Sequence, residues 1–530
     1  MTQKPMLGDL RHFGDLLRRN ARLFADAEGL ADAEGAYTWR QGYGRALRLA
    51  DRLRQIGLRP GERVLLLGNS SVAWSEALFA LAGAGLVAVP VNTRLTAEEI
   101  AGIGRDCEAR GLLVSDELLE RGRDAAGQVP TLRFVGGLGK GSGEVAGYDR
   151  LLAEGAEDEA AFAGPIAPED LLLLLYTSGT TGFPKGVMYS HGSALQATLV
   201  HVLAIASAHR HRVMLPSPPY SAAGFAGLAC AVAVGSPTFL LRFSLDGALE
   251  TLASQRITFT NLVPTTVRML LDHPRFGDYD LSALEVLLYG GSPMREATLR
   301  DADRALGCAF RQTFATSETG LSGTVLEPED HRRALDDPDA GHLLLSCGRP
   351  QVGVGVRLLS NDGVEVPDGE VGEVAVACTG NMVGYWNRPE ATAAVLQDGW
   401  LRTGDLARRD EHGYFYLVDR KHDMIVTGAL NVYPTEIERT LSRHPAVADC
   451  AVIGVPDEKW GEAVKALVVP RPGENLSADL LITWAREHLA GFKRPKSVEF
   501  VDQIPYNPAG KPLRRLLREP YWRGRERKLG

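Results

Sequence analysis

Short apolar runs alternate with helical patterns along the first part of the chain. Residues 43–56 have the apolar spacing of an amphipathic helix, residues 64–67 form an apolar run typical of a buried strand, and residues 73–84 predict another helix. Further strand-like runs occur at residues 171–175, 258–263 and 284–289. Because strands that alternate with helices form parallel sheets covered by helices, the pattern predicts an α/β architecture.

The spacing changes between residues 352 and 377, where short alternating strands predict a small antiparallel, barrel-like sheet. The sequences Asn361-Asp362-Gly363 and Pro367-Asp368-Gly369 supply turns between these strands. Two other stretches, the glycine-rich residues 136–143 and the acidic residues 154–159, predict loops rather than a break between domains.

After Asp419 the pattern predicts a compact α+β unit. Thr435 and Glu438 have the spacing of a capping box, in which the hydroxyl and the carboxylate satisfy N–H groups at the start of a helix. Strand-like runs follow at residues 450–455 and 464–469, and Ser477 precedes an amphipathic helix. We therefore expect a large N-terminal domain over residues 1–420 and a small C-terminal domain over residues 421–530.

Composition narrows the classes of function. The 530 residues include 58 Lys and Arg against 66 Asp and Glu, and the net charge of -8 disfavours nucleic acid or an anionic membrane as a partner. The uncharged stretch 214–241 is long enough to span a bilayer, but prolines and a glycine interrupt it, which favours a buried helix at residues 222–234. Six cysteines without CxxC spacing and a polar start without a signal sequence indicate a cytoplasmic location.

The segment that follows the run 171–175 is rich in residues that bind phosphate. It reads Tyr176-Thr177-Ser178-Gly179-Thr180-Thr181-Gly182-Phe183-Pro184-Lys185-Gly186. Hydroxyl donors, glycines that allow close backbone approach and a lysine are the groups that a polyphosphate needs. A strand-like pattern follows Lys185, where a Walker A loop would have Ser or Thr opening a helix. The sequence therefore predicts a phosphate-binding loop of another kind.

This loop and several later segments together resemble the adenylate-forming superfamily, which includes acyl-CoA synthetases, the adenylation domains of peptide synthetases and firefly luciferase. The similarity covers nearly the whole chain, because the further motifs occur in the family's order and spacing. These motifs are Tyr289-Gly290-Gly291-Ser292-Pro293, Thr313-Phe314-Ala315-Thr316-Ser317-Glu318-Thr319, Trp400-Leu401-Arg402-Thr403-Gly404-Asp405, Asp419-Arg420-Lys421-His422-Asp423 and Pro505-Tyr506-Asn507-Pro508-Ala509-Gly510-Lys511.

The resemblance implies a nucleotide site for ATP. The residues that it assigns to this site are Thr177, Ser178, Gly179, Thr180, Thr181, Gly182, Lys185, Gly290, Gly291, Ser292, Thr313, Phe314, Ala315, Thr316, Ser317, Asp405, Arg420 and Lys511. By the same resemblance, the turn at Gly290 holds adenine, and Asp405 accepts hydrogen bonds from the ribose hydroxyls with Arg420 nearby. Phe314 replaces the family's usual Tyr but can still stack on adenine, and Ser317 supplies a hydroxyl where the family has Thr.

The resemblance also implies the catalytic roles. Lys185 lies beside the β- and γ-phosphates, Glu318 with Thr177 holds Mg2+, and Lys511 interacts at the α-phosphate. In the family the small domain is mobile and rotates about a hinge, which corresponds here to His422, where Lys or Asp is usual. Repulsion between a carboxylate and ATP is the main obstacle to acyl-adenylate formation, and these cations would reduce it.

Segment 218–224 indicates which acid is activated. Ser221 stands where an enzyme that activates amino acids has an Asp to pair with the substrate ammonium, so amino acids are disfavoured. The residues assigned to the acyl pocket are Tyr220, Ser221, Ala222, Gly224, Phe225, Gly290 and Ala315. Their small size predicts a roomy apolar pocket, although close packing of a helix on a sheet would select the same residues. Ala315 replaces the family's usual Gly and would narrow or redirect the pocket.

The sequence therefore predicts an acyl-CoA synthetase that activates a medium-chain, long-chain, aryl or alicyclic carboxylic acid with ATP and Mg2+ and transfers it to coenzyme A. One alternative is an acyl-AMP ligase that delivers its product to a carrier protein. Another is a nucleotide-binding relative without catalytic activity. The expected partners are the acid, ATP and CoA, with no nucleic acid and no transmembrane segment, and a homodimer is one option for assembly.

Overall fold

The structure of the protein is a computed structural model. It describes residues 10, 12–162, 166–177, 184–292, 294–427, 430–474, 476–506 and 512–523. The strands are β1 Glu28–Ala31, β2 Ala36–Thr38, β3 Arg63–Leu67, β4 Val87–Pro90, β5 Gly111–Val114, β6 Phe134–Gly137, β7 Gly141–Ser142, β8 Val145–Ala146, β9 Leu171–Thr177, β10 Lys185–Ser190, β11 Val213–Leu215, β12 Thr238–Leu240, β13 Phe259–Leu262, β14 Val286–Gly290, β15 Ala309–Phe314, β16 Thr324–Leu326, β17 Arg349–Pro350, β18 Gly355–Leu359, β19 Val371–Ala377, β20 Gly384–Tyr385, β21 Leu396–Gln397, β22 Trp400–Arg409, β23 Phe415–Arg420, β24 Ile425–Thr427, β25 Leu430–Val432, β26 Val447–Asp457, β27 Gly461–Pro470 and β28 Ser497–Phe500.

The helices are α1 Asp15–Leu23, α2 Trp39–Gln55, α3 Val72–Gly83, α4 Ala97–Asp106, α5 Leu119–Ala126, α6 Tyr148–Glu154, α7 His191–Ala204, α8 Ala222–Val234, α9 Leu245–Ser254, α10 Pro264–Leu271, α11 Glu296–Leu306, α12 Pro328–Asp336, α13 Pro389–Val395, α14 Pro434–Leu441, α15 Ala478–His488 and α16 Arg514–Trp522.

Two large sheets dominate the described part of the chain. The nine-stranded sheet has the order β17-β16-β15-β14-β13-β11-β12-β1-β2, and the seven-stranded sheet has the order β20-β10-β9-β4-β3-β5-β6. Central neighbours are parallel, as in β13, β14 and β15 of the first sheet and β4, β3 and β5 of the second. Antiparallel pairs occur toward the edges, at β9 with β10 and at β15 with β16. The predicted α/β class is confirmed.

The largest buried cluster connects the two large sheets through helices. Val64 of β3 and Leu288 of β14 belong to it, together with Phe79 of α3 and Leu228 of α8. Helix α8 carries no charged residue because it is enclosed on nearly all sides, so removal of its apolar surface from water stabilises the fold. The prediction of a buried helix at residues 222–234 is confirmed. Among the described residues, no helix combines the length and the apolar character that a membrane span requires.

A smaller sheet follows the nine-stranded sheet along the chain. Strands β18, β19, β22 and β21 pair in that order, and β23 joins β22, all with antiparallel register. Its own core contains Val356, Val374 and Phe415. The turn sequences at residues 361–363 and 367–369 lie between β18 and β19 and contain Gly363 and Gly369, both at φ of 80° or above. This confirms the predicted small antiparallel sheet.

The C-terminal part forms a separate sheet with its own core. Strands β25, β24, β27 and β26 pair antiparallel, while β28 lies parallel to β27. Ile437 of α14, Val452 of β26 and Leu481 of α15 form the centre of that core. The small α+β unit is thus present, and the exact boundary between residues 420 and 421 stays a prediction.

Two local predictions are wrong and one is confirmed. The capping box at Thr435 does not form, because α14 already begins at Pro434 and has no side-chain cap. Pro suits the first helical position because its missing N–H would have no partner there. The glycine-rich residues 136–143 are not all loop, since they contribute to β6 and β7. Ser477 does cap α15, where its hydroxyl accepts a hydrogen bond from Leu480 N at 3.3 Å.

Candidate active site

The phosphate-loop motif lies between two antiparallel strands. Thr177, the last residue of β9, is the register partner of Lys185, the first residue of β10. Both ends of the loop are therefore fixed by strand pairing, and Lys185 enters the site from the seven-stranded sheet. The loop residues Ser178, Gly179, Thr180, Thr181 and Gly182 lie outside the described residues.

Lys185 and Glu318 are connected through a tyrosine that the sequence did not identify. The Nζ of Lys185 lies 4.9 Å from the centroid of the Tyr385 ring. The hydroxyl of Tyr385 donates a hydrogen bond to Oε1 of Glu318 at 3.1 Å. Burial, with the charge of Glu318, raises the pKa of Tyr385 well above its usual value, so the hydroxyl remains a protonated donor. Tyr385 thus contacts the Lys185 ammonium through its ring and the Glu318 carboxylate through its hydroxyl.

The segment that carries Glu318 is held by a second tyrosine. Residues Ser317–Thr319 form a short 3-10 helix. Tyr189 of β10 donates a hydrogen bond to the Ser317 carbonyl and accepts one from Gly320 N at 2.8 Å. Gly320 has a φ of 62°, and a Cβ there would lie 2.5 Å from the Gly380 carbonyl oxygen, so glycine is needed at this position.

Tyr189 could have been found from the sequence, whereas Tyr385 could not. In the predicted strand after the phosphate loop, Lys185 and Tyr189 are four positions apart, so the period of two places them on the same face. Tyr385 lies on β20, a strand of two residues without a sequence pattern, and it reaches Glu318 only because β20 pairs with β10.

The motif assigned to adenine lies where β14 ends. Gly290 is the register partner of Thr313 on β15, so this motif and the Thr313–Ser317 segment are adjacent at the carboxyl ends of parallel strands. Ligands of open α/β sheets commonly bind at such strand ends. A Cβ at Gly290 would lie 2.7 Å from the Thr313 carbonyl oxygen, and Gly291 has a φ of 79°. Both glycines are therefore required by the backbone.

The remaining residues of these two motifs occupy the same edge. Ser292 follows Gly291, and Phe314 ends β15 with Ala315 next in the chain. Thr316 N donates a hydrogen bond to the Thr319 hydroxyl at 3.1 Å, which fixes the start of the 3-10 helix. Phe314 is half-buried against the core of the small antiparallel sheet.

The two residues assigned to the ribose are in contact. Asp405 on β22 is the register partner of Arg420 on β23, and Arg420 Nε lies 3.1 Å from Asp405 Oδ1. The predicted Thr-Gly-Asp turn is in fact part of the long strand β22, in which Gly404 has a φ of 75°. The Asp405 side chain is 9% exposed and the Arg420 side chain is 40% exposed, so the pair has a buried acceptor and an accessible cation.

The segment assigned to the hinge is tied to the C-terminal helix. Burial lowers the pKa of His422, although the neighbouring Asp423 acts in the opposite direction. Arg514 of α16 forms ion pairs with Asp423 at 3.2 Å and with Glu438 of α14 at 2.7 Å. The Arg514 and Asp423 side chains are buried, and the Glu438 side chain is partly buried.

Lys511 lies outside the described residues, but the chain on each side of it is placed. Tyr506 and Pro512 form an antiparallel bridge, and Leu513 N donates a hydrogen bond to the Pro505 carbonyl at 2.8 Å. The bridge holds Tyr506 and Pro512 side by side, two residues before Arg514.

The residues assigned to the acyl pocket separate into two groups. Ala222 and Phe225 of α8 line a cavity of about 340 Å3, open solvent included, together with Tyr189, Gly320 and residues of α7. In contrast, the Ser221 hydroxyl caps α8, because it accepts a hydrogen bond from Gly224 N at 3.0 Å and donates one to the Pro218 carbonyl at 2.7 Å.

Gly224 serves close packing rather than the cavity, since a Cβ there would lie 2.1 Å from the Pro218 carbonyl oxygen. Tyr220 is half-buried just before α8, and Gly290 and Ala315 lie at the strand ends described above. Tyr189 links the cavity to the segment that carries Glu318, because it lines the cavity and also donates a hydrogen bond to the Ser317 carbonyl. Fold and site together define an adenylate-forming enzyme.

Comparison with known proteins identifies the family. The model of the AMP-binding enzyme family matches residues 17–386, and the model of the AMP-binding enzyme C-terminal domain matches residues 436–511. The chain belongs to this family, within the adenylate-forming superfamily, and is an AMP-forming acid–thiol ligase by class.

Individual relatives cover nearly the whole chain. A feruloyl-CoA synthase of Amycolatopsis sp is 38% identical over 508 residues, which are 95% of this chain and 98% of that protein. The fatty acid–[acyl-carrier-protein] ligase ScoC of Streptomyces coeruleorubidus is 36% identical over 504 residues, 93% of each chain. The crystal structure of the anthranilate CoA ligase AuaEII with anthranoyl-AMP has a TM-score of 0.86 and 28% identity, covering 97% of this chain and 98% of the other.

Proposed function

We propose that the protein activates a hydrophobic carboxylic acid with ATP and transfers the acyl group to coenzyme A. The observation that carries this proposal is the arrangement of Lys185, Tyr385 and Glu318 beside an apolar cavity. Tyr189 lines that cavity and also contacts the segment that carries Glu318. Cations near the phosphates reduce repulsion between an acid anion and ATP, while the cavity takes the acyl chain.

In the first half-reaction, the acid carboxylate attacks the α-phosphorus of ATP, the bond to the bridging oxygen breaks, and pyrophosphate leaves. Strand pairing fixes the position of Lys185 at the end of the loop, which supports a role in neutralising charge on the phosphates, and we assign the bridging oxygen to Lys511. Positioning and electrostatic stabilisation are the main contributions that a protein makes to transfer at phosphorus. The product is acyl-AMP, held by its ribose against Asp405 and Arg420.

Magnesium is the metal that fits the available ligands. Among the described residues, no group of three or more His, Cys, Asp and Glu side chains could hold a metal ion. Mg2+ requires fewer protein ligands, because it commonly binds one or two carboxylates and completes its shell with substrate phosphates and water. Oε1 of Glu318 accepts the hydrogen bond from Tyr385, but the carboxylate has further lone pairs that can bind a metal ion. Glu318 and the Thr177 hydroxyl would therefore hold the ion, and the ion would neutralise charge on the phosphates.

In the second half-reaction, the CoA thiol attacks the acyl carbonyl and AMP leaves. We propose that the C-terminal domain rotates about His422 between the two steps, which withdraws Lys511 and gives the thiol access. A hinge rotation of this kind lets one pocket serve two reactions in turn.

The cavity supports a hydrophobic acid. Among its described lining residues none is charged, and Ala194, Ala197, Ala222 and Ala226 contribute only methyl groups to its wall. The feruloyl-CoA synthase and the anthranilate CoA ligase among the relatives act on aromatic acids, which suit an apolar lining. Medium-chain, long-chain, aryl and alicyclic acids are all in the proposed range.

A second function is favoured by one observation, the 36% identity to a ligase that acylates a carrier protein. Both functions release pyrophosphate, but only a CoA ligase forms more AMP when free CoA is added. The test is to incubate the purified protein with Mg2+, ATP and a panel of carboxylic acids, and to measure pyrophosphate and then AMP with and without CoA. Pyrophosphate release that CoA does not accelerate would favour the carrier-protein function. If no acid leads to pyrophosphate release, both ligase functions are rejected and a nucleotide-binding role without catalysis remains.

We also propose Mg2+ dependence, a cytoplasmic location and homodimer formation. The free cysteines among the described residues support a reducing compartment. Cell fractionation tests the location, light scattering of the purified protein tests the dimer, and chelation of Mg2+ tests the metal requirement.

A further inference from the structure

A second cavity follows the first along helices α7 and α8. Ala194, Ala197 and Thr198 of α7 line the first cavity, and His201 and Ile205 line the second. Residues at these spacings share one face of a helix, so the two cavities are consecutive along that face. The second cavity has an empty volume of about 350 Å3, open solvent included.

The second cavity lies beneath the adenylate site. Leu288 of β14 lines it, and Leu288 is the register partner of Asn261 on β13, another lining residue. Gly290, at the strand end assigned to adenine, is two residues further along β14 and therefore on the same face as Leu288. At roughly 3.3 Å per residue, the two positions are separated by about 7 Å along the strand. An acyl group that extends from Gly290 along this face of β14 would approach this cavity.

The polar side chains of the second cavity differ from those of the first, whose Tyr189 and Thr198 hydroxyls already have hydrogen-bond partners. His201, Ser207 and Asn261 line the second cavity together with apolar residues. His201 is only 4% exposed, and among the described residues its Nδ1 has no hydrogen-bond partner. Burial lowers the pKa of His201 to about 4, so the imidazole is neutral near pH 7 and offers one donor and one acceptor. A buried polar atom without a partner is costly, and such atoms are uncommon in native proteins.

We propose that the distal end of the acid carries an uncharged hydrogen-bonding group, such as a hydroxyl, which binds His201 in the second cavity with Asn261 beside it. This inference rests on the proposed function and narrows its substrate class. A plain hydrocarbon end would leave His201 without a partner. A second carboxylate is disfavoured, because no Lys or Arg is among the described residues that line this cavity.

The test compares acids that differ only at the distal end. Suitable sets are an arylpropenoic acid with a para hydrogen, a para hydroxyl or a para carboxylate, and a fatty acid with and without a terminal hydroxyl. We expect kcat/KM for pyrophosphate release to be at least about tenfold higher for the hydroxylated member of a set than for the unsubstituted one. The difference should lie mainly in KM, because a distal contact is made equally in the ground state and the transition state.

Variants of His201 separate a specific contact from a structural effect. His201→Leu should reduce the preference for the hydroxylated acid to about onefold, whereas His201→Gln, which keeps a donor and an acceptor, should retain it. Thr260→Val on β13 is the control, because its buried hydroxyl already donates to the Met214 carbonyl at 3.1 Å and Thr260 is not among the residues that line either cavity. This control should leave the ratio unchanged. Thermal unfolding of each variant verifies that it folds. If His201→Leu does not fold, Asn261→Leu provides a second probe of the same contact.

The outcomes distinguish this inference from the function on which it rests. Equal kcat/KM for hydroxylated and unsubstituted acids, or a preference that survives both His201→Leu and Asn261→Leu, would overturn the distal contact while leaving the ligase activity intact. Absence of pyrophosphate release with every acid would instead remove the proposed function itself.

Discussion

Replacement of Tyr385 by Phe isolates the contact between Tyr385 and Glu318. The change removes the hydroxyl that donates to Glu318 at 3.1 Å but keeps the ring against Lys185. A hydrogen bond to a charged group contributes about 1.5–3 kcal/mol. If the bond positions Glu318 for the transition state, kcat/KM for adenylation falls by roughly tenfold to a hundredfold, since each 1.4 kcal/mol corresponds to about a factor of ten.

Pyrophosphate release with saturating Mg2+ and an accepted acid measures this effect. The matched control is Tyr414→Phe, because the buried Tyr414 hydroxyl donates to Asp330 Oδ1 at 2.6 Å, away from the proposed site. Both variants should lower the melting temperature, but only Tyr385→Phe should lower kcat/KM. Wild-type activity in Tyr385→Phe, or an equal loss in the control, would refute the positioning role.

Three further predictions follow from the site and the core. Lys511→Ala should abolish adenylation but leave thioester formation from supplied acyl-AMP largely intact; equal loss of both half-reactions would contradict its assignment. Asp405→Asn should raise the KM for ATP by about tenfold or more, because an amide N–H replaces one acceptor oxygen, while the KM for the acid changes little; equal changes in both would exclude a ribose role. The pKa of His201 is 6.5 in the unfolded chain and about 4 in the folded protein. Between pH 6.5 and pH 4 the unfolded chain therefore binds a proton at His201 that the folded protein does not, and the free energy of unfolding decreases as the pH falls through this range. In His201→Leu the loss should be shallower by up to about 1.4 kcal/mol per pH unit, measured by denaturant unfolding; identical slopes would place the His201 pKa near its usual value.

Features that depend on local sequence were predicted well. The α/β class follows from central strands such as β3 and β14, whose apolar runs are buried between helices. The Ser477 cap was also predictable, because a capping hydrogen bond spans only three residues.

Predictions failed where distant partners decide the outcome. Glu438 had the spacing of a capping residue, but Arg514, 76 positions away, and Val452 N both bind its carboxylate. In the glycine-rich stretch, Gly136 pairs in register with Leu113, so a neighbouring strand imposes extended backbone on a sequence that otherwise favours turns. Tyr385 is 67 positions from Glu318, and no local pattern encodes that distance.

The Arg514 cluster has a consequence for how motion is transmitted within the C-terminal unit. Arg514 joins Asp423, next to His422, and Glu438 of α14, while the bridge between Tyr506 and Pro512 fixes the base of the lysine segment. Because a buried charge that loses its partner is strongly penalised, these groups resist separation. With the pivot that we propose at residue 422, the elements that Arg514 joins would rotate together as one rigid body, and the angle of rotation would set how far Pro512 is displaced.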